Sequence, residues 1–153
     1  MENGQPTIAY INNEPFELEK GETILNFLRR NMGEEPVPTL CDAPNLKPFG
    51  SCRVCSVEVA LQQNGPTKVQ ASCHTPVMKD SYIFTHTDKL KKLRKNIVEL
   101  VLTDYPAEKF ATDNPNQNEL KKVALGLDIS PEDVRYAEGK NHLEREKDAA
   151  HPY

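Results

Sequence analysis

All four cysteines of this chain fall between residues 41 and 73, spaced Cys-x10-Cys-x2-Cys-x17-Cys. The stretch that carries Cys41 and leads into Cys52 and Cys55 runs from Glu34 to Ser51 and holds Pro36, Pro38, Pro44, Pro48 and Gly50. Proline lacks a backbone donor and fixes φ, so this stretch can be neither a helix nor an interior strand. A loop of that length inside a domain is usually functional. Cys73 instead follows a separate run with strand character. A fold built from this chain must bring a long loop and the end of a strand together around four sulfurs.

What those sulfurs do depends on where the chain resides. Its N-terminus, Met1-Glu2-Asn3-Gly4-Gln5, has no basic region followed by an apolar run, so a cytoplasmic, soluble protein is expected. The apolar cluster Ile97 to Leu102 is broken by Glu99. It falls far short of the ~20 residues that span a bilayer, so no transmembrane segment is expected. A net charge of -4 over 153 residues gives nucleic-acid binding no support and points to protein partners. In a reducing compartment, clustered cysteines read as metal ligands before disulfides.

Three chemistries compete for the site. A structural zinc ion commonly uses two Cys-x2-Cys knuckles, and only one is present here. Two disulfides would need an oxidising environment that nothing else in the chain suggests. A 2Fe-2S cluster takes grouped cysteines from a wrapping loop and a distant last one, and the spacing favours it. Such a cluster is anionic, and Gly50 allows close approach of backbone N-H groups, while Lys47 and Arg53 can offset its charge or be ordinary solvated cations.

The periodicity predicts the scaffold. Thr7 to Ile11 and Pro15 to Leu18 read as a hairpin turning at Asn12-Asn13-Glu14. Glu22 to Met32 reads as a helix with Ile24, Leu25, Phe27, Leu28 and Met32 on one face, stopped by Gly33. Ser56 to Leu61 and Lys68 to Ala71 form a second strand pair, and Tyr82 to Thr85 a short strand. This order suggests a mixed sheet wrapped on one helix, the β-grasp arrangement. After His86 the texture becomes helical. Leu90, Leu93, Ile97, Leu100 and Val101 mark one face of a helix capped at Thr87 or Asp88 and ended by Pro106. Asn114-Pro115 signals a helix closed by Gly126, Ser130-Pro131-Glu132-Asp133 signals another, and the tail from Gly139 to Tyr153 has little to bury.

Several stretches carry a resemblance. Pro38-Thr39-Leu40-Cys41, Leu46-Lys47-Pro48-Phe49-Gly50-Ser51-Cys52-Arg53-Val54-Cys55, Val57-Glu58-Val59 and Ala71-Ser72-Cys73-His74-Thr75-Pro76-Val77 form the set. They resemble the N-terminal 2Fe-2S ferredoxin domain of the large iron-sulfur subunit of NADH:quinone oxidoreductase, also found in NAD-linked formate dehydrogenase alpha subunits and hydrogenase diaphorase subunits. The resemblance implies an α+β fold, with a β-grasp 2Fe-2S ferredoxin-like domain over residues 1-86 and a small helical region over 87-153. It implies one 2Fe-2S cluster on Cys41, Cys52, Cys55 and Cys73, the first two on one iron and the last two on the other. It also implies one-electron transfer among other redox subunits or domains of an oxidoreductase complex. Relatives carry, after the long helix, one histidine and three cysteines that bind a 4Fe-4S cluster. This chain has Tyr105, Lys109, Thr112 and Asn118 at those positions, so no 4Fe-4S cluster is expected.

The remaining candidates are bland. His74, His86, His142 and His151 read as surface or supporting residues, and Lys89, Lys91, Lys92, Arg94 and Lys95 as the solvated face of a helix. No nucleophile-base pair, phosphate loop or dinucleotide-binding glycine pattern is present, so no catalytic site of its own is expected.

Overall fold

A computed structural model gives the fold and describes residues 6-34, 37-42 and 45-134. The expectations for the tail after Gly139, for His142 and His151, and for Pro36 and Pro44 lie outside the described residues. Contacts divide the chain into two compact units, Met1–Ile97 and Val98–Tyr153.

In the first unit, β1 (Ile8–Ile11) and β2 (Glu14–Glu17) form the expected hairpin. Asn12 and Asn13 at its tip both take positive φ, 50° and 74°. Such a two-residue turn matches the twist of its strands, and asparagine tolerates the left-handed region. β3 (Ser56–Ala60), β4 (Lys68–Ala71) and β5 (Tyr82–Phe84) complete a five-stranded sheet in the order β2-β1-β5-β3-β4. β1 and β5 run parallel and the other pairs are antiparallel.

Helix α1 (Ile24–Met32) fills one face of the sheet. Thr23 caps it by accepting the Asn26 amide, and Gly33, at φ 86°, ends it. Ile24, Leu25, Phe27 and Leu28 bury against Ala9, Ile11, Val57, Val59 and Ile83, the inward set of the period-two strands. Phe16 meets Phe27 edge to face, with centroids 6.4 Å apart. The structure therefore has the α+β, β-grasp architecture expected from the order of its elements.

The opposite face of β3 is also buried, by the start of α2 (Asp88–Leu102). Here the expected helix face needs correction. Leu90, Arg94, Val98 and Leu102 are buried, whereas Leu100 is 72% exposed and Val101 is 45% exposed. Arg94 occupies a core position of the stripe, not its solvated face. Counting it as surface charge rotates the predicted face.

Glu58, on the same face of β3, accepts hydrogen bonds from Lys89 Nζ (2.9 Å), Thr67 Oγ1 (2.7 Å) and Thr87 Oγ1 (2.7 Å). These contacts, the Lys89 bond foremost, lower its carboxyl pKa from about 4.5 to about 2. A depressed carboxylate pKa contributes stability above the unfolded value, and that stability is lost as pH falls through the folded value. Glu58→Gln should destabilise the protein at pH 7 by about 1-2 kcal/mol, allowing for screening at the exposed Lys89 end. The gap between wild type and variant in urea midpoint should close as pH falls from about 4.5 towards about 2.

The second unit is helical. A short helix not foreseen from the sequence, α3 (Ala107–Thr112), buries Phe110. Helix α4 (Glu119–Gly126) starts later than expected, because Asn118 caps it by accepting the Lys121 amide. Asn114 instead closes a local turn, its side chain accepting from the Asn116 amide. Pro131–Asp133 is a single 3-10 turn with a Ser130/Asp133 capping box. Among the described residues no helix is long and apolar enough to cross a membrane.

Candidate metal centre

The β3-β4 hairpin fixes half of the site. Ser56 pairs with Ala71, which sets Cys55 and Cys73 just beyond the same end of the two strands. Ser72 closes that end by donating both its amide (3.3 Å) and its hydroxyl (2.7 Å) to the Cys55 carbonyl. Two amides of the first turn of α1 reach the same segment, Leu25 donating to Ser72 O and Ile24 to Thr75 O, each at 2.9 Å. Those amides have no partner within the helix, so the Cys73 segment and α1 satisfy each other.

The loop supplies the other half. Arg29 of α1 binds Asp42, next to Cys41, at 2.6 Å, and Glu34 at 2.7 Å. Gly50 is buried with φ 75°, and a Cβ there would meet the His74 ring at 2.8 Å. A side chain at position 50 would therefore strain the backbone and displace His74. Arg53 also has positive φ, 61°, and its carbonyl accepts from both the amide and the hydroxyl of Ser56.

These constraints bring the sulfurs together. Cys55 and Cys73 lie in the buried core, Cys41 packs against it, and Cys52 is half-buried in the same loop. Backbone amides converge on them: those of Ser51 and Cys52 on Cys41, those of Leu40, Cys41 and Val54 on Cys52, and that of Gly50 on Cys73. Burial pushes the Cys41 thiol up, but its amide and sulfur partners outweigh burial and leave it lowered. At Cys52 burial dominates and the thiol is raised. Cys73 is pushed up to about 12 by burial and by the Cys55 sulfur, against the pull of the Gly50 amide. Free thiols packed this closely resist ionising together, which gives a bound cation something to relieve. The four sulfurs and their amide cradle thus suit an anionic iron-sulfur group.

The 2Fe-2S iron-sulfur cluster binding domain family matches residues 4–88, more than half of the chain. The chain belongs to this family. Curated relatives of the 2Fe-2S domain include the alpha subunit of an NADPH-Fe(3+) oxidoreductase from Geobacter sulfurreducens, 33% identical over 91 residues that cover 60% of this chain and 10% of the relative. The NADH-ubiquinone oxidoreductase 75 kDa subunit of Reclinomonas americana is 33% identical over 117 residues, 76% of this chain and 16% of the relative. An NADH-quinone oxidoreductase subunit of Rickettsia prowazekii is 30% identical over 137 residues, 90% of this chain and 18% of the relative. The chain therefore spans less than a fifth of the length of these relatives. A solved chain of an NAD+-reducing NiFe hydrogenase in the H2-reduced state shares the fold, with a TM-score of 0.63 at 21% identity, over 95% of this chain and 57% of that one. These matches bear out the resemblance carried by the cysteine loop.

The other candidates fall into place around the 2Fe-2S domain. Lys47 and Arg53 are exposed, His74 lies over Gly50, and His86 shares a 2.6 Å hydrogen bond with the Thr85 hydroxyl. Arg29, Asp42, Glu58 and Arg94 carry structural contacts around the site that reading the sequence missed. For Arg94 the signal was available, since it lies four residues from both Leu90 and Val98 on the buried stripe.

Proposed function

We propose that this chain is a one-electron relay, holding a single 2Fe-2S cluster on Cys41, Cys52, Cys55 and Cys73. The relay belongs to a multi-centre oxidoreductase linked to NAD(P)H, formate or hydrogen. The observation that carries the reading is the convergence of four cysteines: Cys55 and Cys73 beyond one end of the β3-β4 hairpin, and Cys41 and Cys52 on the irregular loop, with Cys41 packed against the core that holds Cys55 and Cys73. Within a family whose domain binds a 2Fe-2S cluster, such a set would supply two thiolates to each iron.

When bound, the cluster supplies a one-electron couple. The residues supply the rest: loop amides stabilise negative charge on the sulfurs, Arg29 anchors the loop through Asp42, and α1 fixes the Cys73 segment. Leu46 and Phe49, 61% and 69% exposed in the same loop, offer apolar surface to a neighbouring redox subunit or domain. In this reading residues 1-86 are the ferredoxin-type module and residues 87-153 a helical region without a cluster.

The absence of a second cluster has its own support. Tyr105 and Asn118, at two of the four positions read as lost ligands, are joined by polar side chains. Tyr105 Oη donates to Asp113 Oδ2 (2.7 Å), and Asn118 Nδ2 donates to both Tyr105 Oη (2.8 Å) and Asp113 Oδ2 (2.7 Å). Purified protein should be brown and contain about two irons and two acid-labile sulfides per chain. Colourless protein with one zinc would replace this reading with the structural zinc module, and more than two irons would overturn the single-cluster assignment.

A further inference from the structure

Arg94 is buried at 4% exposure beneath β3. Its Nη2 donates to Ser56 O at 2.6 Å and its Nη1 to Thr85 O at 3.1 Å, while Nε has no partner. The ion pairs among the described residues do not include it. Glu58, two residues beyond Ser56 on the same face of the strand, is engaged by Lys89, Thr67 and Thr87. Arg94 is therefore a buried guanidinium whose hydrogen bonds end on carbonyls. Carbonyls satisfy donors but leave the positive charge uncancelled, and burying such a charge is costly. As a strut between α2 and β3, a neutral donor would serve at lower cost. What the guanidinium adds is a field, and its 2.6 Å bond to the Ser56 carbonyl sets that field one residue along the chain from Cys55.

We infer that Arg94 is a positioning residue in the electrostatic sense: the buried cation chiefly responsible for setting the reduction potential of the iron-sulfur centre, by favouring its reduced state from behind Cys55. This rests on the function proposed above. Reduction adds one electron from a one-electron donor, with no bond made or broken and no proton moved, so the centre becomes more negative by one charge. A fixed cation in a low-dielectric interior lowers the energy of the added charge, and it does so without screening by salt. The exposed Lys47 and Arg53 act through water and contribute less.

Iron, acid-labile sulfide and the visible spectrum of the wild-type protein come first, and a wild type lacking a 2Fe-2S spectrum refutes the functional reading whatever Arg94 does. Dithionite titration with redox mediators then compares Arg94→Gln and Arg94→Met with Arg94→Lys. In the loaded neutral variants the reduced-to-oxidised ratio at a fixed potential should fall about tenfold, equivalent to about 59 mV for a one-electron couple. Arg94→Lys should stay within about twofold of wild type. An unshifted potential in a neutral variant with an intact spectrum overturns the assignment, as does an Arg94→Lys potential shifted as far as that of Arg94→Met. Where the neutral variants do not load, the wild-type potential between about 10 mM and about 1 M salt decides. A ratio steady within about twofold supports a buried cation, and a tenfold change assigns the tuning to the exposed charges instead.

Discussion

Replacing Cys55 by alanine is expected to abolish cluster assembly, leaving protein without the visible absorption of a 2Fe-2S centre and with iron near background after anaerobic reconstitution. Cys55 is 1% exposed and immediately precedes β3, beyond the same hairpin end as Cys73. A substitute ligand would have to come from a side chain already in that pocket. Ser56 cannot serve, because its hydroxyl is committed to the Arg53 carbonyl at 2.6 Å. Ser72 is likewise engaged, with the Cys55 carbonyl itself. A Cys55→Ala protein that kept the full spectrum would show that the ligand set is wrong.

Phe27→Ala should destabilise the first unit by about 3-5 kcal/mol, the range for truncating a fully buried aromatic. The ring is 0% exposed and meets Phe16 of β2 edge to face, with the Arg30 guanidinium 5.7 Å from its centroid. Small domains are only marginally stable, so a loss of this size removes much of the folding free energy. Urea unfolding should show a lower midpoint at unchanged slope. The effect should reach the metal centre too, because α1 holds the Cys73 segment through the Leu25 and Ile24 amides. Iron should leave the variant faster than the wild type when a chelator is added. A midpoint within about 1 kcal/mol of wild type would mean that the pocket collapses around the missing ring.

The parts of the fold that were legible in the sequence are those governed by local chemistry. The Asn12-Asn13 turn, the Gly33 stop and the period-two strands around Val57 and Val59 each follow from what one residue type does to its own backbone. The cysteine loop was legible because proline excludes regular structure there. What failed was set by longer-range contacts. Arg94 looked like one more cation of a lysine-rich run until the carbonyls of Ser56 and Thr85 were seen to satisfy it. Asn114-Pro115 carried a helix-start signal, yet Asn118 caps α4 while also bonding Tyr105 and Asp113. The Arg29–Asp42 tie joins a helix to an irregular loop, and no periodicity encodes such a pairing.

The β3-β4 hairpin separates two roles along its length. Its cysteines lie at one end, and the turn from Leu61 to Thr67 lies at the other, with the register between Ser56 and Ala71 holding the strands in step. The side chains from Leu61 to Asn64 at that turn are exposed. Residues added between Leu61 and Asn64, short of Thr67 and its bond to Glu58, should leave the Ser56–Ala71 pairing in place, because the buried faces of β3 pin the register. A reporter label spliced into that exposed stretch would ride on the protein without disturbing its sulfurs.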